Sequence, residues 1–314
     1  MSGPAVAADT ELILHHYDFS NYSEKVRLAL GYKGLAWRSV IIPPVLPKPD
    51  LMPLTGGYRR APVLQVGADI YCDTRLILAQ LERWRPEPTL FPPAQRALAN
   101  AVAYWAEQQL FRPISLYVSG TNADVLPPEL QADRSRMRGL PVPDAATVQR
   151  AAKRNAPAVR VQLAWIEELL SDGGDWIAGP AVSIADFAVY HALWFITGRT
   201  DRLRHELEPH RHVRAWMDRM RAFGHGTSRA MTPQEALRVA AQATPEAPRR
   251  SRSFAEDPTL GTRVRVRADD YARNSVEGEL VLLDEDEIAL RRQDEQVGEV
   301  VVHFPRLGYD LRTV

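Results

Sequence analysis

Residues 19–30, FSNYSEKVRLAL, carry the sharpest signal in the chain. It follows an apolar run, ELILHH at 11–16, that predicts a buried strand, and its apolar positions from Val26 onward predict a helix. Ser20 lies at the mouth of that helix, where unpaired backbone N–H groups and the positive end of the helix dipole stabilise an anion. A thiolate is such an anion, and the Ser20 hydroxyl is a suitable donor to a ligand's sulfur. The alternative is that Ser20 or Ser23 serves only as an N-cap.

The segments that follow complete one compact α/β unit. Residues 37–42 predict a second strand, and a proline-rich loop follows it. Two short strands around a Gly-Ala turn, over 62–66 and 69–71, predict an antiparallel hairpin. Residues 74–84 are again helical in pattern. The order is therefore strand, helix, strand, loop, two strands and helix.

Two further motifs lie at the ends of the predicted hairpin. In RAPVL, residues 60–64, Pro62 cannot donate to a strand ladder, so the sequence predicts a cis Ala61–Pro62 bond. The Ala61 backbone groups would then point outward and pair with an extended peptide. Asp73 and Thr74 open the next helix: the carboxylate suits an α-amino group, and the hydroxyl with the helix N-terminus suits an α-carboxylate. The alternative for this pair is a simple helix cap.

In this order and spacing, the three motifs resemble those of serine-type glutathione S-transferases. The resemblance implies that Ser20 is the catalytic serine, that Ala61-Pro62 is the cis-proline dipeptide, and that Asp73-Thr74 replaces the usual Glu-Ser pair for the γ-glutamyl group of glutathione. A fourth motif, SIAD at 183–186, resembles the family's N-cap in the core helix of the helical domain. The resemblance covers about 11–230. It implies a thioredoxin-like α/β domain followed by an all-α helical bundle.

The reaction implied by the resemblance is glutathione transfer. Glutathione binds as cosubstrate, Ser20 stabilises its thiolate, and the sulfur attacks a small electrophile. Arg59 and Arg60 are the candidates for holding the glycyl carboxylate, against the alternative of a solvated face. Asn21 replaces the family's common proline, and the Asp-Thr pair has a shorter acid and a bulkier hydroxyl residue. Tyr17 is a weaker candidate than Ser20 for the catalytic residue. The tyrosine-type classes place their tyrosine on the first strand at the position of His16, and a shift of one residue points a strand side chain to the other face.

The rest of the chain divides by its pattern. Long helical patterns over 95–118 and 148–170 flank a Gly-, Pro- and Asp-rich stretch, 119–147, that predicts a long loop or partly ordered insertion. The sequence from Thr232 to Glu235 is a helix-start signal within a linker. Four β-branched segments after position 261 predict a small all-β module, a barrel or half-barrel. The predicted units are a disordered tail (1–10), a thioredoxin-like glutathione-binding domain (11–92), an all-helical domain (93–230), a linker with a helix (231–260) and a small β-barrel-like module (261–314).

Composition argues against several classes of protein. Lys plus Arg and Asp plus Glu are both 39, and a net charge of zero argues against nucleic acid or a membrane surface as partner. Cys72 is the single cysteine, which rules out an intramolecular disulfide and fits the reducing cytoplasm. The first ten residues lack the features of a signal peptide, and no apolar run is long enough to span a bilayer. The histidines have no ligand spacing that predicts a metal site.

Two functions remain open on the sequence alone. The first is the transferase, which the resemblance implies to be a two-fold homodimer. The second is a non-catalytic scaffold on the same fold. The altered glutathione motif and the added β module favour the scaffold, because a simple conjugating enzyme does not need such a module. The module would then bind a protein partner through an exposed sheet edge within 261–314.

Overall fold

The computed structural model describes residues 11–171, 174–249 and 254–314, so the predicted tail over 1–10 lies outside the described residues. Strand β2 runs parallel to β1, β3 is antiparallel to β1, and β4 is antiparallel to β3. This arrangement confirms the predicted thioredoxin-like unit. Its elements are β1 (Ile13–His16), α1 (Asn21–Tyr32), β2 (Ala36–Ile41), α2 (Met52–Thr55), β3 (Val63–Val66), β4 (Asp69–Cys72) and α3 (Thr74–Trp84).

The second unit is helical, as predicted, and none of the described helices is long and apolar enough to cross a membrane. A π-helical turn, Ala106–Leu110, joins the first two helices of this unit. Short 3₁₀ turns lie at Pro93–Gln95 and Asp201–Glu206. The helices are α4 (Arg96–Trp105), α5 (Phe111–Thr121), α6 (Pro128–Met137), α7 (Ala145–Ser171), α8 (Ile184–Thr197) and α9 (Arg211–Arg221).

Helix α6 forms inside the stretch that the sequence analysis predicted as a loop or partly ordered insertion. That prediction is wrong for its central residues. The segment PELQADRSRM has too few apolar residues to show a helical period. Tertiary contacts hold it instead: Leu130 is buried, and the buried Asp133 forms an ion pair with Arg59 of the first unit.

The core of the helical unit is organised by the start of α8. Ser183 and Asp186 form the predicted capping box. The Asp186 carboxylate also accepts hydrogen bonds from the backbone N–H of Ile177 and from Trp216 Nε1, both at 2.9 Å. Burial raises the pKa of Asp186, although these donors act in the opposite direction. One acid therefore ties α8 to the preceding loop and to α9.

The C-terminal strands form the predicted all-β module, and they join the sheet of the first unit. The ten-stranded sheet has the order β10-β6-β7-β8-β9-β4-β3-β1-β2-β5. Strand β9 pairs in parallel with β4, so the module continues the sheet instead of closing on itself. Strands β5 and β10 were not predicted from the sequence. The elements are β5 (Thr227–Ala230), α10 (Pro233–Gln242), β6 (Arg263–Ala268), β7 (Val276–Leu283), β8 (Glu287–Asp294), β9 (Gly298–Pro305) and β10 (Tyr309–Thr313).

The two parts of the sheet share one hydrophobic core. Side chains of β1, β3 and β4 pack in the same buried cluster as those of β6 to β9 and α10. Thr232 and Glu235 form the predicted capping box of α10, and Ala236 and Ala240 face this cluster. Burial of this shared apolar surface stabilises the module on the first unit.

A buried charged group reinforces the junction between β4 and β9. His303 lies between two carboxylates, with Nδ1 2.6 Å from Glu287 Oε1 and Nε2 2.9 Å from Asp69 Oδ1. Burial by itself would lower the pKa of His303, but the bonds to Asp69 and Glu287 raise it from 6.5 to about 9. For the Glu287 carboxyl, burial acts in the opposite direction and would raise the pKa. The bond with His303 outweighs burial and lowers this pKa from 4.5 to about 2. The imidazolium thus bridges the first unit and the module.

We expect the free energy of unfolding to fall as pH rises through the pKa of His303. The unfolded chain releases this proton near pH 6.5, whereas the folded chain holds it until about pH 9. The loss across this range is on the order of 3 kcal/mol. On the acid side, the free energy of unfolding falls below pH 4.5, because Glu287 takes up its proton in the unfolded chain at a higher pH than in the folded chain. The His303–Glu287 pair therefore contributes most to stability between pH 4.5 and 6.5.

Urea unfolding at a series of pH values measures this dependence. His303→Gln should remove the alkaline decline, whereas the same substitution at the exposed His205 should leave it in place. An unchanged alkaline decline in His303→Gln would contradict the assignment.

Candidate functional site

The predicted peptide-binding turn lies between α2 and β3. The Ala61–Pro62 bond is cis, as predicted. Within the described ranges, neither the N–H nor the carbonyl of Ala61 has a hydrogen-bond partner. Ladder pairing of β3 begins only at Val63. A backbone donor and acceptor are therefore available to a ligand at this turn.

Asp73 and Thr74 start α3 beside this turn. Asp73 caps the helix by accepting from the Arg75 N–H at 2.9 Å, and its φ of 77° is a conformation that non-glycine residues rarely adopt. Such strain is concentrated at functional sites. Thr74 Oγ1 accepts from Lys25 Nζ at 3.1 Å. A hydroxyl that accepts from an ammonium can still donate to a ligand's carboxylate.

A cavity of about 70 Å³ brings these residues together. Arg60 and the predicted Ala61-Pro62 and Asp73-Thr74 pairs line it, whereas Arg59 and Ser20 do not. The lining residues are Tyr22, Tyr58, Arg60, Ala61, Pro62, Asp73, Thr74, Glu107, Gln108, Asp270 and Tyr271.

Ser20 is the N-cap of α1, which is the alternative that the sequence left open. Its Oγ accepts from the Ser23 N–H at 3.1 Å, and the residue is 4% exposed. The hydroxyl proton remains free to donate. Tyr22, two residues on, is the hydroxyl residue of this helix that lines the cavity. Burial raises the pKa of Tyr22 well above 10, so its phenol remains a protonated donor.

The two arginines before the turn have different partners. Arg59 forms a buried ion pair with Asp133 and does not line the cavity. Arg60 lines the cavity, and its guanidinium pairs with Asp270 and donates to the Tyr271 carbonyl. Of the two candidates for a ligand carboxylate, the structure thus places only Arg60 at the site.

Several side chains of the site were not predicted from the sequence. They are Tyr58, Glu107, Gln108, Asp270 and Tyr271, which line the cavity, and Tyr309, which bonds to Asp73. Glu107 and Gln108 come from the π-helical turn, a feature that often marks functional sites and that periodicity does not reveal. Asp270, Tyr271 and Tyr309 come from the module, more than a hundred residues away in sequence from α3. Arg60 and Asp270 are separated by 210 positions, and no local pattern predicts such a pair.

Lys25 is the buried cation of the site. Its side chain is fully buried and forms an ion pair with Glu107 in addition to its bond to Thr74. The ammonium lies directly behind the Thr74 hydroxyl, where it favours an anionic ligand. Within the described chain Glu107 is its acidic partner, so the π-helical turn supplies the charge that allows Lys25 to be buried.

We therefore expect Glu107→Ala to destabilise the protein by about 3 kcal/mol, because a buried ammonium loses its counter-charge. Urea unfolding measures the effect. Glu168→Ala, at an exposed position of α7, is the control and should change stability by less than about 0.5 kcal/mol. A loss at Glu107 no larger than at Glu168 would show that the pair does not compensate the buried charge.

Known proteins match both units. A family model described as "Glutathione S-transferase, N-terminal domain" matches residues 14–89, and "Glutathione S-transferase, C-terminal domain" matches residues 150–219. FtsZ-localized protein A of Caulobacter vibrioides is 29% identical over 183 residues, which are 57% of this chain and 74% of that protein.

Solved structures are similar to this chain over different lengths. The structure of FzlA from C. crescentus, at 26% identity and a TM-score of 0.50, covers 68% of this chain and 88% of its own. A GST-like protein from Pseudomonas syringae is 38% identical with a TM-score of 0.79, and the match covers 97% of this chain and 99% of that protein. The likeness to the Pseudomonas syringae protein thus includes the module as well as both matched domains, and the chain belongs to the glutathione S-transferase family.

Proposed function

We propose that this protein binds reduced glutathione in the cavity between the cis-proline turn and α3, and promotes attack of its thiol on a small electrophile. The observation that carries the proposal is the meeting, on one cavity, of the unpaired Ala61 backbone groups with Asp73 and Thr74 at the start of α3. These groups are complementary, in the same order, to the main chain, the ammonium and the carboxylate of a γ-glutamyl peptide.

Each end of the ligand has a complementary group. The ligand's ammonium pairs with the Asp73 carboxylate. Its γ-glutamyl α-carboxylate accepts from Thr74 and from the first N–H groups of α3, with the Lys25 ammonium behind them. The cysteinyl main chain pairs with Ala61, and the glycyl carboxylate reaches toward Arg60.

The sulfur then lies near the N-terminus of α1. The positive end of the helix and a donated O–H lower the pKa of the thiol, so its proton passes to solvent and a thiolate remains. The sulfur forms a bond to the electrophilic carbon while the leaving group departs with its electron pair. Ser20 is the proposed donor to the thiolate, and Tyr22, which lines the cavity, is the competing candidate.

We expect Asp73→Asn to weaken glutathione binding by about tenfold to a hundredfold, because a charge-assisted bond to the ammonium is lost. Asparagine keeps the cap and tolerates a positive φ, so the fold is retained. Isothermal titration measures the affinity, with Asp218→Asn on the exposed face of α9 as the control. N-acetylated glutathione should bind poorly to the unsubstituted protein. Equal binding by Asp73→Asn would contradict the assigned role.

Turnover separates the two candidate donors. With a chlorinated nitroaromatic electrophile, Ser20→Ala should lower kcat by about a hundredfold and raise the apparent pKa of the bound thiol, since the thiolate loses a donor. Ser20→Thr should restore both, whereas Ser20→Asp, which keeps a capping oxygen but has no hydroxyl proton, should restore neither. Recovery in Ser20→Asp would assign the effect to the cap alone. Tyr22→Phe should have the smaller effect. The reverse order of effects would assign the role to Tyr22.

A non-catalytic scaffold is the second candidate function. Similarity to FtsZ-localized protein A, whose name describes association with another protein, favours it. No heat of binding with millimolar glutathione would support the scaffold and overturn the transferase. The family also leads us to propose a two-fold homodimer in the cytoplasm, and light scattering of the purified protein tests the dimer.

A further inference from the structure

We propose that the module is a built-in occupant of the glutathione site, in which the Asp270 carboxylate holds Arg60 in place of the ligand's glycyl carboxylate. The inference rests on the proposed function for its ligand. It concerns the turn between β6 and β7, residues 269–275, which is called the covering turn below.

The contacts of Arg60 are those of an arginine with a bound carboxylate ligand. Both terminal nitrogens of its guanidinium face the two carboxylate oxygens of Asp270, with Nη1 3.4 Å from Oδ2. This two-point pairing is the usual mode of carboxylate recognition by arginine. Asp270 is therefore chemically equivalent to the glycyl carboxylate that Arg60 would otherwise receive.

Tyr271 occupies the space beside this pair. Its ring lies against the guanidinium, with 4.0 Å between the Arg60 Cζ and the ring centroid, and its carbonyl accepts from the same arginine. The next residue anchors the turn to the helical unit, because the Ala272 N–H donates to the Met137 carbonyl at 2.6 Å. The covering turn is thus fixed at the site from both sides.

The other end of the site is also engaged by the module. The Tyr309 hydroxyl donates to Asp73 Oδ2 at 3.1 Å, on the carboxylate proposed for the ligand's ammonium. The remaining cavity of about 70 Å³ is far smaller than the roughly 300 to 1,000 Å³ of ligand clefts. Glutathione enters such a site only when Asp270 and Tyr271 give way.

The Asp270 carboxylate competes with a ligand's carboxylate for Arg60. Because it is attached to the same chain, it is always present at the site, so it reduces the apparent affinity for any ligand that needs the same arginine. A ligand without a glycyl carboxylate does not compete for Arg60. The coupling is therefore specific to one functional group of glutathione.

Isothermal titration of the full chain with glutathione and with its glycyl ethyl ester tests the proposal. Asp270→Asn should bind glutathione about tenfold tighter than the unsubstituted protein. It should strengthen binding of the ester less, because the ester gains only from the loosened turn and not from the freed Arg60. Asp286→Asn, the same change at an exposed aspartate between β7 and β8 of the module, is the matched control and should alter neither affinity. Tyr309→Phe, which frees Asp73, should strengthen binding of both ligands.

A second measurement does not depend on glutathione. Phenylglyoxal modifies accessible arginines, and peptide mass spectrometry gives the rate at Arg60. The rate should rise in Asp270→Asn and remain unchanged in Asp286→Asn. Faster labelling without any glutathione binding would support the covering role of Asp270 and overturn the proposed ligand. Unchanged labelling, or equal or weaker glutathione binding by Asp270→Asn, would overturn the inference while leaving the proposed function standing wherever glutathione binds.

Discussion

The parallel pairing of β9 with β4 sets where the C-terminal module lies on the first unit. Three registered pairs and the buried His303, held between Asp69 and Glu287, fix the module to the first unit. An imidazolium between two buried carboxylates satisfies three groups that would each be costly to bury alone. Because β4 leads directly into Asp73, the same pairing fixes the module relative to the site.

The site is consequently built from distant parts of the chain. The first unit supplies the cis-proline turn and the start of α3, the π-helical turn supplies Glu107, and the module supplies Asp270 and Tyr309. The other two parts balance the positive charges of the first unit: Glu107 balances Lys25, and Asp270 balances Arg60. The region is close to neutral without a ligand, which explains how so many ionised groups are tolerated around a small cavity.

The sequence revealed the parts of this structure that depend on local chemistry. The cis Ala61–Pro62 bond, the Ser183 capping box and the start of α10 each follow from residues within a few positions of one another. The partner of Arg60 does not, because its position depends on how β6 and β7 are placed by the sheet. Helix α6 was missed for the same reason, since distant contacts and not its own period hold it in place.

The two candidate functions are not independent if the module covers the site. Strand β10 ends the sheet and begins at Tyr309, which bonds to Asp73, so a protein strand added to β10 would act on the residues that meet the ligand. Thermodynamic linkage then requires reciprocity: a partner that moves the covering turn away changes the affinity for glutathione, and glutathione changes the affinity for that partner by the same factor. A scaffold and a glutathione site on this chain would therefore regulate each other, with no additional element required.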